Sequence, residues 1–333
     1  MTLRPVGSSG IEVAPIALGG NVFDWTADEA ASFAILDAFV DAGGTMIDTA
    51  DVYSAWVPGH NGGESEALIG RWLKRDPAKR ARVVIATKVG FLDGHVEPAS
   101  YDGNVNSGEY VASLDPKVIA RGADASLQRM GIDTIDLYYQ HRDNPKVPLA
   151  DSLGAFEALR VAGKIRATGL SNFTAVRVEE ALDTAVQAGI EPAVAVQGWY
   201  NLVERGKYEG ELQDVVTGRG LSFFSFYSLA NGFLTGKYRS KDDLGKSVRG
   251  GRNIDYIDSA KGKAVLAALE EVAADTGAAM ATVALAWTKA QGGVTAAIAS
   301  ATSVAQAEEL IAALTLELSP GQIEQLDRAS EQA

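Results

Sequence analysis

Short apolar runs rich in β-branched residues alternate along this chain with stretches whose apolar positions recur at helical spacing. Runs of that length between helical stretches read as strands buried on both faces, the arrangement of a parallel sheet. Several of them stop at a reactive polar residue. Thr45-Met46-Ile47 runs into Asp48, and Val83-Val84-Ile85-Ala86-Thr87 into Lys88. Ile135-Asp136-Leu137-Tyr138-Tyr139-Gln140 runs into His141, and Ala167-Thr168-Gly169-Leu170 into Ser171-Asn172. A packed core has no use for Asp, Lys and His at matching strand ends. In a closed parallel barrel the carboxyl ends of the strands converge on one face, where side chains do chemistry. The pattern points to an enzyme.

The same reading extends over the whole chain. Gly7-Ser8-Ser9-Gly10 predicts the turn of a small hairpin ending at Val13. A first strand spans 16–18, and a helix follows over 28–42 with Thr26 as its N-cap. Further helices are expected over 64–74, 116–130, 149–162, 175–188 and 209–217, then 260–275, 282–291, 304–313 and 319–330. The later strands fall at 193–196, ending at Gln197, at 221–226 and at 295–299. Residues 90–114 form a long Gly/Asn/Asp/Ser-rich connection, and loops of that length are usually functional or disordered. Eight strand–helix alternations without a sequence repeat select a (β/α)8 TIM barrel, with an N-terminal β-hairpin and long strand-end loops. An open nucleotide-binding sheet would carry Gly-x-Gly-x-x-Gly after its first strand, and Gly19-Gly20-Asn21-Val22 does not supply it.

Composition narrows the classes. The 333 residues exceed the roughly 250 of a typical barrel, leaving surplus for loops on one domain, 1–333. No apolar stretch reaches the roughly 18 residues of a membrane span, and Met1-Thr2-Leu3-Arg4-Pro5 lacks an apolar secretion segment, so a cytoplasmic location is expected. The chain has no Cys, which excludes disulfides and thiolate chemistry. A formal charge of −13 argues against nucleic acid, whose phosphates need clustered Lys and Arg. One segment departs from that acidity: Lys237, Arg239, Lys241, Lys246, Arg249 and Arg252 outnumber Asp242 and Asp243. Its position after an apolar strand suits a loop closing over an anionic ligand.

Asp48-Thr49-Ala50-Asp51-Val52-Tyr53 sets a Tyr five residues beyond a strand-end Asp. A phenol titrates near 10 and is a poor proton shuttle at neutral pH, but a nearby ammonium favours the phenolate. Lys88 could supply that ammonium, Asp48 could hold it charged, and His141 could hydrogen-bond a substrate oxygen beside Tyr53. Each of the four alone has an ordinary structural use; their coincidence at successive strand ends favours catalysis. Metal chemistry lacks support, because His60, His95 and His141 show no i,i+4 pairing. Glycoside hydrolysis would need a second strand-end carboxylate beside Asp48.

Six segments in order resemble the aldo-keto reductase family over nearly the whole chain. They are Asp48-Thr49-Ala50-x-x-Tyr53, Ala86-Thr87-Lys88, the run from Asp136 to His141, the run from Gly163 to Phe173, Gln197-Gly198-Trp199-Tyr200-Asn201-Leu202, and the run from Leu229 to Tyr238. The resemblance implies reduction of a small-molecule carbonyl, or the reverse, with NADP or alternatively NAD. It implies a catalytic tetrad of Asp48, Tyr53, Lys88 and His141. Ser171, Asn172 and Gln197 match positions that hydrogen-bond the nicotinamide carboxamide, and Phe226 falls where the family stacks an aromatic on that ring. Further cofactor contacts are expected at Gly20, Asn21, Tyr227, Ser228, Leu229, Gly232, Gly236, Lys237 and Arg249, and at Ser300, Thr302, Gln306 and Glu309. Trp25 and Trp56, with Tyr53 and His141, are expected to face substrate. One departure bears on the cofactor: Thr302 and Ser303 stand where the family usually carries a basic residue, so a 2′-phosphate loses a charge-assisted contact. A regulatory subunit that senses the cofactor with little turnover is the alternative role.

Overall fold

The computed structural model describes residues 1–91 and 113–331. An antiparallel hairpin of β1 (Arg4–Pro5) and β2 (Glu12–Val13) precedes the barrel. The barrel strands are β3 (Ile16–Gly19), β4 (Met46–Asp48), β5 (Val84–Val89), β6 (Ile135–Gln140), β7 (Ile165–Ser171), β8 (Ala195–Trp199), β9 (Ser222–Phe226) and β10 (Val294–Ala299). They are parallel and neighbour one another in chain order, and β10 closes the ring beside β3 through Ala297–Ile16 and Ala299–Leu18. Around them run α1 (Glu29–Asp41), α2 (Glu64–Arg75), α3 (Pro116–Met130), α4 (Leu149–Val161), α5 (Ala175–Ala188), α6 (Glu211–Gly218), α7 (Ile254–Asp258), α8 (Ala260–Thr276), α9 (Met280–Ala290), α10 (Val304–Ala312) and α11 (Pro320–Glu331). The connection expected at 90–114 lies, apart from its ends, outside the described residues. Among the described residues no helix is long and apolar enough to cross a membrane.

Local chemistry sets the helix ends. Pro116 opens α3, where its missing N–H costs nothing, and the Asp115 carboxylate accepts the Lys117 amide at 2.8 Å. Gly131 ends that helix with φ 63, a left-handed turn that favours glycine. The N-cap expected at Thr26 is instead Asp28, whose Oδ1 accepts the Ala31 amide at 2.9 Å. A carboxylate one residue before the helix reaches that amide, whereas Thr26 stands too early in the chain. The strand expected at 193–196 also shifts. It continues to Trp199, because Gly198 and Trp199 pair with Ser225 and Phe226.

The side-chain alternation of a strand decides which residues reach the site. Ala17, Met46, Ala86, Leu137, Tyr139, Ala167, Ala195, Phe224 and Ala296 pack in the barrel interior, plugged at one end by Val6, Ile11 and Val13 of the hairpin segment. Their neighbours Ile16, Ile47, Ile85, Ile135 and Tyr138 face the helix layer. Two residues beyond the interior positions stand Asp48, Lys88, His141, Gln197 and Phe226, and the same inward register carries Ala167 to Ser171 and Ile298 to Ser300. One periodicity therefore fills the barrel with apolar groups and crowns it with polar ones and the Phe226 ring. Tyr139 lies across Gly169, where an added Cβ would run into its ring, and forms the floor between the two zones.

Candidate active site

The carboxyl end of the barrel opens into a cavity of 610 Å³ lined by Asp48, Tyr53, Lys88 and His141 at its deep end. That volume is within the usual range of small-molecule sites. Lys88 and Asp48 are each 1% exposed. The Lys88 ammonium donates to Asp48 Oδ1 at 2.9 Å and Oδ2 at 2.7 Å, to the Thr49 carbonyl at 2.9 Å and to the Tyr53 hydroxyl at 3.0 Å. Burial lowers the Lys88 pKa, and the adjoining Asp48 carboxylate opposes that fall. A desolvated ammonium persists only with such geometry, because removing either partner leaves an uncompensated charge. Gln197 adds a restraint: its Nε2 donates to Asp48 Oδ1 at 2.8 Å.

His141 faces Tyr53 edge-on with ring centroids 6.2 Å apart, and Phe91 packs edge-on against its other side at 4.9 Å. Burial first, then the Lys88 and Arg142 charges, hold its pKa well below 6.5. The imidazole is neutral at physiological pH, with one donor and one acceptor nitrogen. Beneath the site, burial and the Asp48 charge push the Tyr139 phenol well above 10 and keep it protonated.

From the tetrad the cavity runs past Ser171, Asn172, Gln197 and Phe226 toward Ser300, Thr302, Gln306 and Glu309. Asn172 has φ 56, and its Nδ2 donates to the His141 carbonyl at 3.0 Å and to Ser171 Oγ at 3.1 Å. The half-buried Phe226 ring meets Tyr227 edge-on at 5.2 Å. Ser300 Oγ donates to Asn21 Oδ1 at 2.6 Å, while the Thr302 amide and hydroxyl both donate to Gln306 Oε1, at 2.9 and 3.1 Å. Ser228, Leu229, Gly232, Lys237 and Arg249 complete the wall. Burial raises the Glu309 pKa and the Lys237 charge opposes it.

Three residues expected at the site stand behind or beside the cavity. The Gly20 carbonyl accepts from Ser65 Oγ at 2.8 Å behind it. Gly236, at φ 78, turns the chain into the basic segment, and an added Cβ would run into Met280. Trp25 packs edge-on against Trp56 at 5.4 Å, and the Arg249 guanidinium lies 5.7 Å from its ring centre. Trp56 in turn sits 6.2 Å from the Tyr53 ring, so an aromatic rim leads from the basic segment to the tetrad.

The model of the Aldo/keto reductase family matches residues 15–331. The chain belongs to that family. As an aldo/keto reductase family member it is an oxidoreductase with identifiable relatives along nearly its full length. It is 30% identical over 309 residues to aldo-keto reductase yakc of Schizosaccharomyces pombe, covering 92% of this chain and 84% of that protein. It is 32% identical over 313 residues to the uncharacterized oxidoreductase YrpG of Bacillus subtilis, covering 94% and 91%. A probable voltage-gated potassium channel subunit beta of Arabidopsis thaliana is 27% identical over 316 residues, covering 93% and 90%.

This family member also carries groups at its site that sequence reasoning passed over. Asn231 lines the cavity at φ 55 with a buried Oδ1 that has no hydrogen-bond partner among the described residues. Its place inside the Leu229–Tyr238 motif was the available signal. Val248 lines the cavity while 71% exposed, an apolar tip on the basic segment. Asp51 and Glu66 are buried carboxylates behind Lys88, and nothing in their sequence spacing marks them.

Proposed function

We propose that this oxidoreductase interconverts an aldehyde or ketone and its alcohol, with Tyr53 as proton donor and a nicotinamide cofactor, NADP preferred by a modest margin over NAD. The observation that carries the reading is the Lys88 ammonium, held by Asp48 and 3.0 Å from the Tyr53 hydroxyl. An ammonium against a phenol oxygen favours the phenolate, so Tyr53 can release its proton to an alkoxide and recover it near neutral pH. His141, neutral and opposite Tyr53, can donate a hydrogen bond to the same substrate oxygen without competing for its proton. Asp48 and Gln197 keep the ammonium oriented.

The cavity suits a dinucleotide. It is lined from Tyr53 and Lys88 through to Thr302 and Gln306, offers the Phe226 ring face and an Asn231 Oδ1 with no hydrogen-bond partner among the described residues, and collects Lys237 and Arg249 in a chain of net charge −13. Ser171 and Asn172 would hold the carboxamide, the segment from Ser228 to Lys237 and Arg249 the pyrophosphate, and Thr302 and Gln306 the adenosine end. When bound, the cofactor supplies or accepts the hydride. The Thr302 and Ser303 hydroxyls and the amino end of α10 can still meet a 2′-phosphate, and no acidic residue in 300–303 repels it. Trp25, Trp56 and Val248 give the substrate side an apolar rim.

Turnover of NADPH and NADH by the purified protein with a panel of aldehydes and ketones is the test. Oxidation of either cofactor that depends on the carbonyl supports the reading. Tight cofactor binding with no turnover on any carbonyl or alcohol would replace it with a sensing role, as the likeness to a channel subunit would then suggest.

A further inference from the structure

Behind the Lys88 ammonium lies a second buried carboxylate that the proposed chemistry leaves unused. Asp51 is 2% exposed, and its Oδ1 is buried without a hydrogen-bond partner among the described residues. Its backbone extends the pairing of β4 with β5, the Asp51 amide donating to the Lys88 carbonyl at 3.1 Å. Its Oδ2 accepts the Gly90 amide at 3.2 Å, and the Phe91 amide faces the same carboxylate. Gly90 has φ +143, a backbone state that favours glycine, so the carboxylate clasps the turn by which the chain leaves β5. The next residue, Phe91, is the one packed edge-on against His141.

Among the described residues, the charged and titratable neighbours come from four elements and from the segment of Asp51 itself. Lys88 of β5 and Glu66 of α2 face Asp51, as do Arg129 of α3 and Tyr138 of β6, whose buried hydroxyl has no hydrogen-bond partner among the described residues. Asp48 and Tyr53 flank it along its own segment. Glu66 is already engaged, taking the Thr87 hydroxyl at 2.6 Å and Arg129 Nε at 2.6 Å. Asp51 has no ion-pair partner of its own among the described residues.

We infer that Asp51 is a positioning residue for the reaction, which seats Phe91 against His141 and, by gaining or losing its proton, sets the electrostatic bias on the Lys88–Tyr53 pair. The inference rests on the reading of Tyr53 as proton donor. Burial, then the Glu66 charge, push the Asp51 carboxyl up to about 7. A carboxyl held there changes charge around neutral pH. Ionised, it favours the ammonium of Lys88 and disfavours the phenolate of Tyr53; protonated, it releases both effects.

The test reads Tyr53 directly. Phenolate absorbance is titrated in wild type and in Asp51→Asn, each referenced to the same protein carrying Tyr53→Phe, so that the Tyr53 signal is isolated without any substrate. Asp51→Asn keeps an acceptor oxygen for Gly90 and removes the charge; the Tyr53 titration should move down by about one pH unit, the scale of a near like charge. Asp51→Ala loses the acceptor as well, and kcat should fall further while cofactor binding holds, with Asn restoring most of the difference. A folded Asp51→Asn protein with an unmoved Tyr53 titration overturns the inference. Where that variant does not fold, carbon-13 titration of wild-type carboxyls decides: one must titrate near neutrality and shift in Lys88→Met, and its absence overturns the inference equally. Lack of turnover in wild type would sink the proposed activity alone, because the phenolate titration needs none.

Discussion

The Tyr53 hydroxyl lies 3.0 Å from the Lys88 ammonium. Tyr53 comes from the loop after β4 and Lys88 from the end of β5, 35 residues apart, and the parallel pairing of β4 with β5 brings the two together.

Tyr53→Phe keeps the ring against Trp56 and His141 and removes the transferable proton. Carbonyl reduction should fall by about 10²-fold or more, the scale of general acid catalysis, with cofactor affinity nearly unchanged. Steady-state kinetics beside a cofactor titration measure both, and near-normal turnover would remove Tyr53 from its role.

Lys88→Met leaves Asp48 buried opposite an apolar group. The alkaline limb of reduction, where the donor loses its proton, should move toward the ordinary tyrosine value near 10, and activity at neutral pH should drop because the phenol becomes a weaker acid. The pH–rate profile checks this. A variant with the wild-type profile would make Lys88 a structural cation.

Thr302→Arg restores a guanidinium at the adenosine end of the cavity. The preference for NADP over NAD should widen about ten- to a hundredfold, the worth of one charge-assisted bond of roughly 1.5–3 kcal/mol. Paired titrations with the two cofactors give the ratio; an unchanged one places the 2′-position elsewhere.

Gly169→Ala puts a methyl group into the Tyr139 ring beneath the tetrad. Overpacking of this kind costs about 1–3 kcal/mol, and thermal unfolding should register a lower midpoint. Tyr139→Phe should not rescue it, because the clash is with the ring; rescue would point to the hydroxyl instead.

Stability should also report the buried Asp51. Its carboxyl, raised to about 7, stands above the unfolded value near 3.9, so the folded protein binds the extra proton between those limits. The favourable contribution is complete below about pH 4 and is lost as pH rises through about 7, at up to roughly 1.4 kcal/mol per pH unit. His141 has the opposite slope below about 6.5, since its folded pKa is depressed. The comparison is therefore wild type against Asp51→Asn: the variant should gain relative stability steadily from about pH 4 to about 7. Parallel denaturation curves across that range would contradict the buried acid.

Much of this was legible in the chain. A strand end is marked by the break in an apolar run, which is why the sequence alone singles out Asp48, Lys88, His141 and Ser171. Gln197 was placed in the site but not against Asp48, because a hydrogen bond between β8 and β4 has no trace in local sequence. Asp51 and Glu66 escaped for a related reason. Their burial comes from helices and strands distant in sequence, and an Asp or Glu in a loop or at a helix start is ordinarily solvated. The α1 cap shifted by two residues, from Thr26 to Asp28, since both side chains have the right chemistry and only backbone geometry chooses between them.

The inward alternation of the barrel strands has a consequence for how such a protein can change. Deleting one residue within β4 or β5 ahead of its last polar position would bring Thr49 toward the place of Asp48 or Val89 toward that of Lys88, so length is frozen there. The loops beyond the strand ends face no such parity. The aromatic rim at Trp25 and Trp56 and the apolar tip at Val248 stand on those loops, free to be lengthened, shortened or exchanged. A chain organised this way can reshape the rim of its cavity by trading loops while Asp48, Lys88 and His141, the groups proposed to move and hold the proton with Tyr53, stay in register.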